Sequence, residues 1–222
     1  MKYEDYERAF SSARLSKYSY ACGADKAKAL ILYRHNIRLC QKFYGILNLF
    51  EIVFRNAINE HYKNYFSDND WIRTQMNPGG MIELSPVLPI VTKQLQKLQA
   101  EETYTHDRLV SSVSFGFWTY LFTKVPFNRG GKTLLQVFPN KQKGLGQKAI
   151  YNELMRIKNF RNRIAHHEPI CFDANSLKDV AFAQDNYQLI LKYIHFLGYN
   201  KDELLFGFDV LPDTIINKIT LL

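Results

Sequence analysis

Leu39-Cys40-Gln41-Lys42-Phe43-Tyr44-Gly45-Ile46-Leu47-Asn48-Leu49-Phe50-Glu51-Ile52-Val53-Phe54-Arg55-Asn56-Ala57-Ile58 is the stretch whose reading decides the fold. Leu39, Phe43, Ile46, Leu47, Phe50, Phe54 and Ile58 recur at helical spacing, and the register runs back to Leu32 and on to Tyr62. Residues three or four apart share a helix face. The stretch therefore predicts one long amphipathic helix from Lys26 to about Tyr65, with Asp25 as its N-cap. A polar stripe, Asn48, Glu51, Arg55 and Asn59, interrupts the apolar surround. It reads either as a solvated stripe with a Glu51–Arg55 pair or, because apolar residues nearly enclose it, as a partly buried wall of a site.

Working outward, helical periodicity dominates and no strand alternation stands out. Residues 3–20 predict a first helix. Asn77-Pro78-Gly79-Gly80 marks an irregular connection, and a helix is expected from about Val87 to Glu102. Thr105 is placed to cap another over 106–124, which contains Ser114-Phe115-Gly116-Phe117-Trp118. Residues 126–146 read as a basic, glycine-rich loop. A helix from Leu145 should stop near His167, because the residue before Pro169 disfavours the α region. Asp173 or Asn175 is expected to start a helix to about Leu197 with Gly198 as its C-cap, and a short helix is expected from Pro212. The expectation is an all-α bundle with a long central helix and additional helices, one domain over 1–222 with a C-terminal helical extension over about 175–222. With 46% hydrophobic and 14% aromatic residues the chain is a folded protein, not a disordered one.

Charge is concentrated. From Pro126 to Ala165 nine Lys/Arg face one acid, Glu153, and that net +8 equals the formal charge of the whole chain. The segment includes Arg129, Lys132, Lys141, Lys143, Lys148, Lys158, Arg161 and Arg163. Such a basic segment points to a polyanion, with RNA or DNA the leading candidates. The apolar runs are too short and too interrupted for a membrane span, and the N-terminal Met1-Lys2-Tyr3-Glu4-Asp5 has no signal core. The three cysteines, 22, 40 and 171, are scattered and lack Cys-x-x-Cys spacing. They read as reduced thiols of a cytoplasmic protein, with neither metal nor cofactor expected.

The chemistry-bearing motif is Lys158-Asn159-Phe160-Arg161-Asn162-Arg163-Ile164-Ala165-His166-His167-Glu168-Pro169. On a helix Asn162 and His166 share a face, as do Arg163 and His167, and both histidines fall in the last turn, where the helix dipole favours positive charge. Arginine supplies planar, permanently charged donors for phosphate oxygens, and histidine moves protons near neutrality. The set suits RNA cleavage without a metal, and it equally suits a helix terminus on a solvated basic face. Adjacent His166, His167 and Glu168 diverge on a helix and cannot easily chelate one ion together. Gly130-Gly131-Lys132-Thr133 lacks the first glycine and the preceding strand of a phosphate loop. Arg55-Asn56-x4-His61 echoes the Arg161-Asn162-x3-His166 spacing.

Four segments together resemble a known family: Phe10-Ser-Ser-Ala-Arg14-Leu15-Ser-Lys-Tyr18; Leu32-Tyr33-Arg-His-Asn36 leading to Phe50-Glu51-Ile-Val-Phe-Arg55-Asn56-Ala-Ile58; Ser114-Phe-Gly116-Phe-Trp118; and Arg161-Asn162-Arg-Ile-Ala-His166-His167-Glu168. The chain resembles the Abi-like proteins of the AbiD/AbiF abortive-infection type, in the HEPN superfamily. The last segment is the most specific, fitting the Arg-x4–6-His pattern of that superfamily. The resemblance implies a HEPN-like helical bundle, a composite site formed by homodimerisation, and metal-independent endoribonuclease activity in phage defence or as a toxin. It also implies single-stranded regions of RNA as substrate and restraint by an antitoxin RNA or protein. Carried over, Arg161 binds the scissile phosphate, His166 transfers protons with His167 as second candidate, and Asn162 orients them. Glu51 and Arg55 also match a further recurrent segment of the family, to which the resemblance assigns no role; Glu51 and Arg55 of the polar stripe, with the adjacent Asn56, are the expected supporting, site-lining residues. The alternative reading is a non-catalytic RNA- or partner-binding helical module.

Overall fold

The computed structural model describes residues 3–173, 175–207 and 212–222. The fold is all-α. In chain order the helices are α1 (Tyr3–Phe10), α2 (Ser12–Ala21), α3 (Lys26–Phe66), α4 (Trp71–Thr74), α5 (Leu88–Ala100), α6 (His106–Ser112), α7 (Phe115–Tyr120) and α8 (Lys124–Arg129). A 3-10 turn (Leu134–Val137) follows, then α9 (Gln147–Ala165), α10 (Ala181–Phe196), α11 (Lys201–Leu204) and α12 (Pro212–Thr220). Among the described residues, extended pairing is limited to one isolated bridge, Phe172 with Lys178.

The long helix forms as its periodicity predicts. Asp25 caps it, its carboxylate accepting from the N–H groups of Ala27 and Lys28 at 2.9 and 3.0 Å. Elsewhere the structure breaks helices that spacing alone would run on. Residues 3–20 divide at Ser11, whose φ of 70° ends α1 and whose hydroxyl accepts from Arg14 N–H to start α2. Residues 106–124 divide at Val113 and Ser114, both extended; Thr105 caps α6 as expected, accepting from Arg108 N–H. The stretch expected as a loop at 126–146 begins inside α8, because Pro126 falls in that helix's first turn, where its missing N–H costs nothing. Asp173 does not start a helix. Its carboxylate captures the N–H groups of Asn175 and Leu177 in a turn, and Asp179 instead caps α10 through Ala181 N–H at 2.8 Å. Gly198, at φ 90°, terminates α10.

The sequence reading treats 1–222 as one domain; the structure groups it into two compact units drawn from alternating stretches of chain. The first comprises Met1–Asn48, Asn159–Leu191 and Asp202–Leu222. In it, Phe43 of α3 meets Phe160 of α9 edge-on at 4.8 Å and Tyr187 of α10 at 5.8 Å. Tyr18 of α2 packs on Tyr33 and Phe172. The C-terminal segment is part of this core, with Ile215, Ile216 and Ile219 buried. The fixed point behind the motif is Asn36, 4% exposed, whose side-chain oxygen accepts from Ile170 N–H at 2.9 Å. That bond ties the chain after α9 to α3.

The second unit comprises Leu49–Lys158 and Lys192–Lys201. Phe54 sits at its centre, stacked on Phe50, Phe122 and Phe138. Phe115, Phe117, Trp118 and Phe122 are buried and form part of this core. A polar network spans this core. Asn59 accepts from Trp71 Nε1 at 2.9 Å and lies 2.7 Å from His106 Nε2. His106 Nδ1 faces Asp70 at 3.3 Å, and Tyr104 donates a short hydrogen bond to the same carboxylate.

Candidate active site

The site is made by how α9 ends. His166 N–H donates to Asn162 C=O at 2.9 Å, His167 N–H to Ile164 at 3.0 Å, and Glu168 N–H to Arg163 at 2.9 Å. His167 is in the left-handed region at φ 58°. These bonds and that dihedral make a Schellman cap in which His167 occupies the position usually filled by glycine. Pro169 then prevents the helix from resuming. The left-handed step rotates His167 out of the helical register, so the expected shared face of Arg163 and His167 is not formed.

What forms instead is a cavity of about 670 Å³ in the first unit. Arg161 and His167 line it together, joined by Arg14 of α2, and its other wall is the α3 face carrying Tyr33, Asn36, Ile37, Cys40, Gln41 and Tyr44. The Arg14 guanidinium donates to the His167 carbonyl at 3.3 Å, fastening the left-handed residue to α2. A guanidinium carries five N–H donors, and this bond uses one of them. Asn36 commits its carbonyl oxygen to Ile170, leaving its NH2 as the donor end. The Cys40 thiol is pushed up to about 11 by burial, partly offset by the nearby Arg163 charge, so it stays a neutral wall group and not a nucleophile.

His166 is exposed and Asn162 half-buried; neither lines the cavity. Of the four motif residues read from the sequence as catalytic, the structure brings together Arg161 and His167. Asn162 and His166 stay in helical register, the His166 N–H bonded to the Asn162 carbonyl. Arg163, expected to bind RNA, is turned inward: it donates to Pro169 C=O at 2.6 Å, pairs with Glu168 at 3.4 Å and lies 4.6 Å from the Phe182 ring centre. It braces the turn that holds His167.

The remaining nominated residues belong to the second unit. Along α3, Glu51 and Arg55 are half-buried and Asn56 is exposed. Arg55 Nε is buried without a hydrogen-bond partner. Arg129 is committed to Gly80 C=O at 2.7 Å and Glu83 at 3.2 Å. The Lys158 stem lies over Gly116, where an added Cβ would meet its Cε at 3.6 Å. Lys132, Lys141 and Lys143 border a shallow depression of about 510 Å³, and Lys148 is exposed. The Gly130–Thr133 stretch is a turn, its Thr133 hydroxyl donating to Gly130 C=O and meeting His61 Nε2 at 3.0 Å. Glycine is favoured at 131 by its φ of 76°, and an added Cβ there would also force the Tyr65 hydroxyl, 1.9 Å away, to move.

Sequence reasoning missed Arg14 as a site residue and His106 as a network residue. Arg14 lies in one of the four family-like segments but had no role assigned to it, and His106 stands alone as a histidine in α6; only the tertiary fold supplies their partners.

Among the described residues, no group of three or more His, Cys, Asp or Glu is placed to hold a metal ion, and no helix is long and apolar enough to cross a membrane. No family model, curated protein or solved structure matches the chain.

Proposed function

We propose that this protein is a metal-independent endoribonuclease of the HEPN type, acting in phage defence or as the toxin of a toxin–antitoxin pair. The reading rests on one observation: Arg14, Arg161 and His167 line a single cavity. Two guanidinium groups and an imidazole supply what cleavage of an RNA phosphodiester requires. The 2′-hydroxyl loses its proton and attacks phosphorus, the bond to the 5′-oxygen breaks, and that oxygen gains a proton. The products are a 2′,3′-cyclic phosphate and a 5′-hydroxyl. In this scheme His167 exchanges the proton at the 2′- or 5′-oxygen. Arg161 and Arg14 donate to the non-bridging oxygens, whose charge grows in the transition state. His167 takes the role that the family resemblance assigns first to His166. A homodimer would bring a second copy of the motif and a second imidazole, so that base and acid are separate groups. The net +8 of residues 126–165 favours the RNA backbone as ligand.

The test is cleavage of mixed structured RNAs in EDTA by wild type and by His166→Ala, His167→Ala and Arg161→Ala. The expected result is cyclic-phosphate ends with wild type and His166→Ala, and loss of cleavage with the other two. Full activity in His167→Ala, or 3′-hydroxyl products formed only with added divalent metal, would overturn the mechanism. Salt-sensitive RNA binding without cleavage under any condition would favour the binding-module reading.

A further inference from the structure

The cavity is larger than phosphate binding needs, and its wall chemistry is divided. At about 670 Å³ it lies within the range that encloses a whole small ligand, roughly 300–1,000 Å³. The cationic groups, Arg14 and Arg161, come from α2 and α9, whereas the α3 wall is aromatic and aliphatic with two amide side chains. Tyr44 and Ile37 are 52% and 39% exposed, an aromatic face and a branched aliphatic left open to solvent on that wall. Asn36 and Gln41 stand on the same wall, and Asn36 is held in orientation by its bond to Ile170. A surface that is cationic on one side, flat and apolar on the other, and carries fixed amides matches the three parts of a nucleotide: phosphate, base face and base edge.

We infer that the cavity takes one unpaired nucleotide, its phosphate against Arg14 and Arg161, its base stacked on Tyr44 and Ile37, and its base edge read by Asn36 and Gln41. A paired base cannot present its face to a protein ring, so the target nucleotide must be single-stranded or drawn out of its stack. Asn36 offers its NH2 donors and Gln41 can both donate and accept, so the two amides make the cavity a determinant of which base is accepted. Tyr44 is thereby a base-stacking residue for the proposed cleavage rather than a member of the core. The inference rests on the ribonuclease reading for its biological substrate but is testable without cleavage.

The experiment is calorimetric or NMR titration of the full chain with AMP, CMP, ribose 5-phosphate and inorganic phosphate, repeated on Tyr44→Ala and Tyr44→Phe, alongside the RNA cleavage assay. One stacked base should tighten binding over ribose 5-phosphate by about 5- to 150-fold. Tyr44→Ala should lose that advantage while keeping the response to inorganic phosphate, and Tyr44→Phe should retain it. Tyr44 is half-exposed, so its truncation leaves no core cavity, and the preserved phosphate response reports a folded site. Equal binding of AMP and ribose 5-phosphate, or an AMP advantage unchanged in Tyr44→Ala, would overturn base insertion even where wild type cleaves RNA. A Tyr44-dependent AMP advantage in a protein that cleaves no RNA would uphold the nucleotide pocket and overturn the ribonuclease reading instead.

Discussion

Replacing His167 by glycine should make the protein more stable and less active. His167 holds φ 58° at the left-handed position of the cap that ends α9. An L-residue there carries about 1–2 kcal/mol of steric cost that glycine does not. Glycine in turn gives the unfolded chain more freedom, which returns roughly 0.5–1 kcal/mol in the opposite direction. The His167 side chain is exposed, so its removal forfeits little burial, and the Arg14 bond to its carbonyl is a backbone interaction that glycine preserves. The expected net gain is about 0.5–1 kcal/mol, or a rise in Tm of about 1–4 °C for a chain of this size. The same substitution removes the imidazole that the mechanism uses, which should lower cleavage by about 10²–10⁴-fold. His167→Asn should separate the two effects, since asparagine tolerates the left-handed region but moves no proton. Thermal and urea unfolding, run beside cleavage of a labelled RNA, read both quantities. His167→Gly destabilised by a kilocalorie or more would refute the cap; His167→Gly cleaving like wild type would refute the proton-transfer role.

In the second unit, His106→Ala strips one partner each from Asn59 and Asp70 in a network whose histidine side chain is 10% exposed. It should cost about 2–4 kcal/mol in urea unfolding, and a loss below 0.5 kcal/mol would show the network to be dispensable. Replacing Lys141, Lys143 and Lys148 by glutamine should flatten the log K against log salt plot for single-stranded RNA by about 2, at roughly 0.7 per phosphate contact. Cleavage at saturating RNA should be retained, and an unchanged slope would remove these lysines from the interface. Sedimentation should find a homodimer at micromolar concentration; a monomer that retains full cleavage would contradict the composite site.

The long helix was legible because its evidence is local and repeated: many apolar residues from Leu32 to Tyr62 in one register, and an aspartate at its start. Where the chain breaks a helix, single residues decide the matter, and spacing does not register them. Ser11 and His167 adopt positive φ without being glycine, and Val113–Ser114 turn extended between two helical stretches. The site was legible to the same extent and failed for the same reason. Residue chemistry picked out Arg161 and the histidine pair, but helical projection grouped Arg163 with His167 and Asn162 with His166. The left-handed residue at 167 undoes the Arg163–His167 part of that projection; Arg163 meets Pro169 and Phe182, while His167 lines the cavity with Arg161. Arg14 lies 153 positions from the carbonyl it holds, a separation at which no sequence spacing carries information. A histidine stands at 167, where glycine would carry less steric cost, in a residue that lines the cavity and is fastened through its own carbonyl by Arg14; this fits the proposed proton-transfer role, in which position matters more than stability.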